Sequence, residues 1–467
     1  MQHLPTIDRP HEECGVFGIY APDEDVSRLT YFGLYALQHR GQESAGIAAG
    51  DGRGLVVKRD MGLVSQVFSE EVLRGLRGHL AIGHTRYSTT GSSQVCNAQP
   101  FLLETYNGPF ALGHNGNLVN SRILRDRLRE DGVTFTSTTD SEVIAWLIAL
   151  SAGPNWGARI ARTLPKLMGA YSLVMATADE VFAARDPMGV RPLCLGRLGS
   201  GWVVASETCA LDTIGATFER EIAPGEIVRI GASGLSSYQF EPARPALCSF
   251  EHIYFARPDS VLDGRLVYDV RVALGRILAR EQPAEADVVI PVPDSAVPAA
   301  VGYAAESGIP YGEGLIKNRY IGRTFIAPDQ RLRDVGIGLK FNPLPGQLAG
   351  RRVVVIEDSI VRGSTSKPIV SLLRKAGARE VHLRISSPPY RHPCCLGMDT
   401  GRRDELIAAQ LSVDEIRSYI GADSLGYLSE EGLLEAMGRT RSTTCLACLD
   451  GKYPLPVQME MNKLALE

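Results

Sequence analysis

Two adjacent acidic residues lie at the end of an apolar run and just before a loop of small polar residues. In VVVIEDSIVRGSTS, residues 353–366, Glu357 and Asp358 follow the run VVVI. If this run is a parallel strand, the loop lies at its carboxyl end, where N–H groups that open a helix bind phosphate. The amides that this loop offers are those of Gly363, Ser364 and Thr365. The two acids suit ribose hydroxyls or Mg²⁺. Because a capping turn needs fewer such side chains, we predict a phosphate site.

A cysteine opens the first apolar alternation of the chain. Cys14 lies in HEECGVFGIY, residues 11–20, where apolar residues and glycine predict a short strand. A buried cysteine at the start of a strand is commonly an unreactive packing residue. As a nucleophile it would need a base within hydrogen-bond reach. This stretch alone leaves both interpretations open.

The other cysteines divide by context. CLAC, residues 445–448, has metal-ligand spacing, and further ligands would come from Cys248 and the pair Cys394–Cys395. One CxxC plus two separate cysteines can form a four-cysteine site when the fold brings them together. Buried thiols without metal are the simpler interpretation for Cys96, Cys194 and Cys209. We expect no disulfides in a reducing compartment.

Length and composition limit the class of protein. A chain of 467 residues predicts roughly two or three domains. With 22% charged residues and a net charge of −4, no basic surface for nucleic acid is expected. No stretch has the ~20 apolar residues of a membrane span. Since the first 13 residues lack the apolar core of a secretory signal, we expect a cytoplasmic protein.

The pattern of elements changes near residue 248. Before it, short glycine-punctuated strands alternate with amphipathic helices and predict an α+β layered domain. After it, continuously apolar strands separated by helices predict a parallel sheet that is covered on both faces. The predicted units are 1–13, 14–247, 248–400 and a helical extension, 401–467.

The first half resembles the class II glutamine amidotransferases, which have the αββα fold of N-terminal nucleophile (Ntn) hydrolases. Four stretches carry the resemblance: CGVFGIY, HTRYST, GHNGNL and TTDSE. The resemblance implies that residues 1–13 are a propeptide and that Cys14 is both nucleophile and, through its freed α-amine, general base. It further implies an oxyanion hole at Asn115 and Gly116. Arg86 would bind the carboxylate of glutamine, and Asp140 its ammonium group.

Each of these residues also has a simpler local interpretation. Arg86 could form a surface ion pair, Asn115–Gly116 suits a type I′ hairpin turn, and Asp140 suits a helix N-cap. Their joint occurrence in the order of the family favours the amidotransferase interpretation.

The second half resembles the type I phosphoribosyltransferases, on VVVIEDSIVRGSTS and VIPVPDSAVPAA. This resemblance implies that phosphoribosyl pyrophosphate (PRPP) binds at Asp294, Glu357, Asp358, Gly363, Ser364 and Thr365. It also implies a Mg²⁺ ion held by Ser295, Glu357 and Asp358. Helix capping by Asp294 or Ser295 is compatible with these roles.

The two halves in this order resemble enzymes that pass ammonia from glutamine to PRPP and so form 5-phosphoribosylamine, the first committed step of purine synthesis. The resemblance implies a [4Fe–4S] cluster on Cys248, Cys394, Cys445 and Cys448, with Cys394 chosen over Cys395 because the family's ligand directly follows proline. It also implies a homotetramer and inhibition by purine nucleotides.

Two other classes fail on features of the sequence. A glutamine-dependent sugar-phosphate aminotransferase would lack VVVIEDSIVRGSTS, and a PRPP-sensing regulator would lack Cys14 and carry a basic DNA-binding domain. The cation-rich segment 317–342 is long for a connection inside an α/β domain. We expect it to close over the pyrophosphate of PRPP.

Overall fold

The computed structural model describes residues 14–87, 91–318, 340–398, 400, 402–456 and 466. The predicted propeptide, 1–13, and most of the predicted closing segment, 317–342, therefore lie outside the described residues. The strands Leu315–Lys317 and Phe341–Pro343, at the two ends of that segment, pair in an antiparallel arrangement. No helix in the described part of the chain is long and apolar enough to cross a membrane.

The first half contains two antiparallel sheets and the helices that cover them. Its strands are β1 Gly15–Tyr20, β2 Ser44–Gly50, β3 Leu55–Met61, β4 Leu80–Arg86, β5 Phe101–Thr105, β6 Gly108–Leu118, β7 Gly169–Ala176, β8 Val181–Arg185, β9 Cys194–Leu198, β10 Gly201–Ala205, β11 Thr217–Glu221, β12 Glu226–Gly231 and β13 Gly234–Gln239. Its helices are α1 Val26–Ala36, α2 Val64–Val67, α3 Glu70–Gly75, α4 Ser121–Glu130, α5 Asp140–Leu150, α6 Trp156–Thr163 and α7 Thr208–Thr213.

The two sheets stack face to face. The strand orders are β11-β9-β10-β1-β4-β2-β3 and β13-β12-β8-β7-β6-β5. Side chains such as Val16 and Val174 fill the space between the sheets. On the outer faces, α1 packs on the first sheet through Leu34, and α5 packs on the second through Ile148. Because alternate strand residues point to opposite faces, strands buried on both faces produce the predicted four-layer αββα sandwich.

The second half is built on a parallel sheet. Its strands are β14 Leu247–Cys248, β15 Val261–Leu262, β16 Arg265–Leu266, β17 Val288–Pro291, β18 Leu315–Lys317, β19 Phe341–Pro343, β20 Arg352–Glu357, β21 Glu380–Ile385, β22 Ser424–Tyr427 and β23 Thr444–Cys445. Its helices are α8 Val267–Glu281, α9 Val297–Ser307, α10 Pro345–Leu348, α11 Ser366–Lys375, α12 Ile407–Gln410, α13 Val413–Ile420, α14 Glu430–Met437 and α15 Ala447–Asp450.

The sheet β17-β20-β21-β22 is parallel throughout. Val353 and Val355 belong to the core on one face, while Val354 and Ile356 belong to the core on the other. This confirms the predicted fold class, an Ntn sandwich followed by an α/β phosphoribosyltransferase domain with a C-terminal extension.

The C-terminal extension is not purely helical. β22 joins the edge of the parallel sheet, with Ser424 to Tyr427 paired to His382 to Ile385, and β23 pairs with β14. The sequence interpretation missed both strands because they are only four and two residues long. The domain boundaries assigned from the sequence stay predictions.

Two candidate active sites and a cysteine cluster

Cys14 lies directly before β1, where sheet pairing fixes its backbone. Its side chain is buried, and Sγ donates to the backbone oxygen of Tyr87 at 3.4 Å. Its own carbonyl oxygen accepts from Nε of Arg40 at 3.2 Å. β1 pairs with β4, which places Gly15 opposite Thr85. Cys14 is therefore next to the end of the strand that carries Arg86.

Arg86 is the last residue of β4, and its side chain is buried rather than at the surface. Its guanidinium donates to the backbone oxygens of Ser92 at 3.2 Å and Gly91 at 3.4 Å. It also lies 3.7 Å from a carboxylate oxygen of Glu43. These contacts fix the guanidinium at the rim of the cavity beside Cys14, so the interpretation as a surface ion pair is wrong.

Asp140 is the first residue of α5, and the preceding Thr139 is the residue that caps the helix. One oxygen of Asp140, Oδ2, accepts from the backbone N–H of Leu118 at 2.9 Å. Burial alone would raise the pKa of Asp140, but nearby His114 and the Leu118 N–H hold that pKa below its usual value. The carboxylate is therefore charged at neutral pH and suits an ammonium group.

Asn115 and Gly116 lie inside the long strand β6, so the hairpin-turn interpretation is wrong. At the neighbouring odd position, a Cβ on Gly113 would contact His84 of the first sheet, and the pleat directs Asn115 to the same side. The Nδ2 group of Asn115 is buried and has no hydrogen-bond partner among the described residues. At Gly116, φ is +145°, and an added Cβ would lie 2.0 Å from the Ala170 oxygen. Only glycine fits there.

Most of these residues meet at one small pocket of about 220 Å³, counting space open to solvent, but Asn115 is not among its lining residues. Its lining includes four of the predicted residues: Cys14, Arg86, Gly116 and Asp140. It also includes residues that the sequence interpretation missed: Tyr87, Gln99, His114, Thr139 and Ser141. Tyr87, His114, Thr139 and Ser141 are each adjacent in sequence to a predicted site residue, and this adjacency could have identified them. Gln99 has no such signal, because it reaches the site through a hydrogen bond to the His114 N–H.

The second site lies at the carboxyl end of β20. Glu357 ends this strand and Asp358 follows it, and each is 1% exposed. Ser295, after the neighbouring strand β17, donates to Oδ2 of Asp358, and Ser359 donates to Oδ1 at 2.8 Å. The structure therefore brings the two predicted strand-end loops together through the carboxylate of Asp358.

The loop 359–365 connects these acids to α11. Gly363 has a φ of +76°, and an added Cβ would lie 2.7 Å from Cδ1 of Ile407. Thr365 occupies the N-cap position without a side-chain cap bond, while Ser364 is exposed. The first-turn N–H groups of a helix have no partner inside the helix. The backbone N–H groups around Ser364 are therefore suited to bind an anion.

Asp294 and Ser295 do not cap the next helix. α9 begins at Val297, and its N-cap residue, Ala296, has no side-chain acceptor. Instead, Asp294 forms an ion pair with Lys317 at the end of β18. The capping interpretation is therefore wrong: the Asp294 side chain contacts Lys317, and the Ser295 side chain contacts Asp358.

Five cysteines gather where the two halves and the C-terminal segment meet. β14 and β23 pair in parallel, with Cys248 opposite Cys445. The thiol of Cys448 interacts electrostatically with those of Cys394, Cys248 and Cys445. Burial is the main cause that raises the pKa of Cys448 well above its usual value, and it raises the pKa of Cys445 to about 12. Cys395 is the fifth member, beside Cys394 and Cys445.

Backbone N–H groups point at two of these sulfurs. Leu396 donates to Sγ of Cys394 at 3.4 Å, and Ala447 donates to the sulfur of Cys445. Among the remaining cysteines, Cys194 and Cys209 are buried as predicted, but Cys96 is half-buried. Its neighbour in the structure is the side chain of Gln94.

The fold and the two sites define a glutamine amidotransferase domain joined to a phosphoribosyltransferase domain. A family model described as a glutamine amidotransferase domain matches residues 84–213. An amidophosphoribosyltransferase of Synechococcus elongatus is 55% identical, with 99% of this chain and 96% of that protein covered. One of Methanothermobacter thermautotrophicus is 50% identical, with 97% and 96% covered.

Solved structures agree. A glutamine PRPP amidotransferase from B. subtilis, complexed with ADP and GMP, matches with a TM-score of 0.92 and 48% identity over 97% of this chain and 100% of that one. A structure described as the allosteric regulatory enzyme of purine biosynthesis matches with a TM-score of 0.92 and 49% identity, with 97% of this chain and 98% of that one covered. The chain therefore belongs to the amidophosphoribosyltransferase family. It is an enzyme of purine biosynthesis that transfers the amide nitrogen of glutamine to PRPP.

Proposed function

We propose that Cys14 is the nucleophile of the glutaminase half reaction and that Asn115 and Gly116 bind the oxyanion. The observation that carries this assignment is the buried Nδ2 group of Asn115, which has no hydrogen-bond partner among the described residues. A buried donor without a partner costs free energy. An oxyanion that forms at this position during the reaction supplies the missing acceptor.

The chemistry follows from this geometry. The Cys14 sulfur bonds to the amide carbon of glutamine, and the displaced nitrogen leaves as ammonia after receiving the proton of the thiol. Water then hydrolyses the thioester and releases glutamate. Arg86 binds the glutamine carboxylate, and Asp140, with its lowered pKa, binds the ammonium group.

The base for this step is the α-amine of Cys14 itself. An α-amine has a pKa of about 8 and so exchanges protons near neutral pH. It becomes available only when residues 1–13 are removed, so we propose that these residues are a propeptide.

The transferase half binds PRPP at the carboxyl end of its sheet. The Gly363–Thr365 amides hold phosphate, Glu357 and Asp358 hold the ribose hydroxyls, and Asp294 lines the pyrophosphate side. Ammonia, passing inside the protein, then displaces pyrophosphate at C1 to give 5-phosphoribosylamine. The donors Ser295, Glu357 and Asp358 are hard oxygen groups that suit Mg²⁺, which keeps several waters and needs few protein ligands. When bound there, Mg²⁺ would supply positive charge to the leaving pyrophosphate.

We propose that Cys248, Cys394, Cys445 and Cys448 hold a [4Fe–4S] centre, and the support for this is that the fold brings these four thiols together. In the described part of the chain, no three His, Cys, Asp or Glu side chains are placed to hold a single metal ion. A zinc ion would require thiolates ~2.3 Å from one centre. In a [4Fe–4S] cluster each cysteine binds a different iron, so the four sulfurs need not share one centre. The N–H groups of Leu396 and Ala447 would stabilise the thiolates of Cys394 and Cys445. We propose a structural role for the cluster, since it would tie the C-terminal segment to the domain junction.

We also propose that the enzyme is a cytoplasmic homotetramer that purine nucleotides inhibit. The B. subtilis relative solved with ADP and GMP supports nucleotide binding.

The test separates the two half reactions. Cys14→Ala should abolish glutamine-dependent synthesis but leave ammonia-dependent synthesis from PRPP intact, while the control Cys194→Ala retains both. Loss of both activities in Cys14→Ala would contradict this division. Intact-mass measurement of active enzyme should show that residues 1–13 are missing; full activity with Met1 present would rule out the α-amine as base.

A further inference from the structure

The strand that carries the candidate oxyanion hole is held directly by the transferase half. One residue after Gly116, the side chain of Asn117 donates from Nδ2 to the backbone oxygen of Cys395 at 2.9 Å. Asn117 is 4% exposed, and Cys395 is 7% exposed. Because the bond is buried, solvent cannot easily replace it, and it fixes the end of β6 relative to the loop 394–397.

A second residue of the glutaminase half holds the same loop. Arg191 donates from Nε and Nη2 to the backbone oxygen of Leu396, at 3.2 and 2.9 Å. Its side chain is fully buried and lies 3.5 Å from a carboxylate oxygen of Glu251. Two consecutive carbonyl groups of the loop, at 395 and 396, are therefore bound by side chains of the other half.

The third contact is between two glycine backbones. A Cβ on Gly397 would lie 3.3 Å from the carbonyl carbon of Gly116 and 3.0 Å from Nη2 of Arg191. Gly397 has a φ of +121°, which also favours glycine. A Cβ on Gly116 would clash with Ala170. The Gly116 backbone is thus confined between Ala170 of β7 and Gly397 of the transferase half.

We infer that residues 395–397 are part of the support of the glutaminase site and that Asn117 is a positioning residue for the oxyanion hole. This inference rests on the proposed role of Asn115 and Gly116. The Gly116 N–H can stabilise an oxyanion only if its direction is fixed before the reaction. The loop 395–397 fixes it from outside the glutaminase domain, so the transferase half completes the glutaminase site.

The alternative is that these contacts only hold the domains together. The two cases differ in kinetics, because a displaced oxyanion donor lowers kcat without weakening the binding of the glutamine carboxylate and ammonium groups. A loss of domain packing would instead reduce stability and both activities together.

The first variant is Asn117→Ala, with Asn120→Ala as the matched control. Asn120 donates from the same kind of amide to the carbonyl of Lys166 at 3.0 Å, but both partners lie in the glutaminase half. We expect Asn117→Ala to lower the glutaminase kcat by about 10- to 100-fold, since misplacement by ~1 Å can cost ~10²-fold. The KM for glutamine should change less than about twofold, and ammonia-dependent synthesis should be unchanged. Asn120→Ala should match the parent enzyme.

The second variant changes a residue of the transferase half. Gly397→Ala should push on Gly116 and reproduce the kcat effect. Gly421→Ala, which also has a positive φ but open space around it, should not. Alkylation of Cys14 by iodoacetamide forms no oxyanion, so its rate, followed on the Cys14 peptide by mass spectrometry, should be unchanged in every variant.

The outcomes separate the inference from the proposed function. An unchanged glutaminase kcat in Asn117→Ala, or a parallel loss of ammonia-dependent synthesis, would overturn the positioning role. Glutaminase activity that survives Cys14→Ala would instead overturn the proposed function itself.

Discussion

Arg40 and Glu251 form a buried bidentate ion pair between the two halves. Nη1 of Arg40 lies 3.0 Å from Oε2 of Glu251, and Nη2 lies 2.7 Å from Oε1. Both side chains are fully buried, and Arg40 also contacts Glu207 at 2.5 Å. Since Nε of Arg40 donates to the Cys14 carbonyl, this pair connects the candidate nucleophile to the start of the transferase half.

Removing one partner of this ion pair should destabilise the folded protein. Arg40→Leu removes the nearest cation of two buried carboxylates, those of Glu207 and Glu251, and should lower the free energy of unfolding by about 3–5 kcal/mol. The double variant Arg40→Leu/Glu251→Leu should lose less than the sum of the single variants, because it removes one uncompensated charge. Urea unfolding of the four proteins measures this coupling. Additive losses would mean that the two residues do not stabilise each other.

Asn115→Ala tests the oxyanion hole directly. It should lower the glutaminase kcat by about 10²–10³-fold, because one preorganised donor is lost from the transition state. The KM for glutamine and ammonia-dependent synthesis should both be close to those of the parent enzyme. Steady-state kinetics with glutamine and with ammonia give all three values. An increase in KM at constant kcat would assign Asn115 to substrate binding instead.

Ser295→Ala tests the coupling of the two strand-end loops. The variant removes the hydroxyl that orients the Asp358 carboxylate, and loss of such an orienting group typically weakens metal binding by about 10–100-fold. The Mg²⁺ concentration for half-maximal ammonia-dependent synthesis should rise accordingly, while basal glutaminase activity is constant. An unaltered Mg²⁺ titration would remove Ser295 from the metal site.

Cys394 and Cys395 can be distinguished by iron content. Cys394→Ser should lose most of the iron because it removes one of four proposed thiolate ligands, whereas Cys395→Ser should retain about four iron per chain. The proposal takes Cys394 as the ligand, and its sulfur accepts the Leu396 N–H. Iron and sulfide analysis of anaerobically purified protein provides the measurement. Loss of iron in Cys395→Ser alone would reverse the assignment, and one zinc per chain in the parent protein would refute the cluster.

His84 should make stability depend on pH. Burial lowers the pKa of His84 to about 3, and Nε2 donates to the His114 carbonyl at 2.9 Å. Between pH 6.5 and about 3 the unfolded chain binds a proton that the folded protein does not. The contribution of His84 is therefore complete above pH 6.5 and falls on acidification, by up to about 1.4 kcal/mol per pH unit.

The matched variant is His84→Gln, which removes this titration. Its free energy of unfolding should fall less steeply between pH 7 and pH 5 than that of the parent protein. Urea unfolding at several pH values measures the two slopes, and parallel slopes would exclude His84 as the cause.

The sequence predicted the layers because each layer follows from periodicity. Strands such as VVVI at 353–356 are buried on both faces, and that burial is visible as a continuous apolar run. By contrast, SLGY at 424–427 is short and half-buried. It becomes a strand because it pairs with the edge of β21. The local sequence of residues 424–427 contains no signal of that pairing.

In the candidate site, residues within short motifs could be predicted from the sequence, whereas contacts between residues distant in the chain could not. Arg86, Asn115, Gly116 and Asp140 could be named because each lies in a short motif. The partnership of Arg40 with Glu251 could not, since more than 200 residues separate them in the chain and a buried arginine looks like a surface arginine in sequence. The support of Gly116 by Gly397 was hidden for the same reason.

The pairing of β14 with β23 has a consequence for biosynthesis. Leu247 and Cys248 pair with Thr444 and Cys445, so almost the whole transferase half must leave the ribosome before this contact can form. Domains fold mostly as they emerge, with the N-terminal one first. The glutaminase sandwich can therefore fold while the loop that confines Gly116 has yet to be translated. A chain truncated before residue 444 lacks this pairing altogether. A glutaminase domain that has just emerged from the ribosome likewise lacks the contact between Gly116 and Gly397.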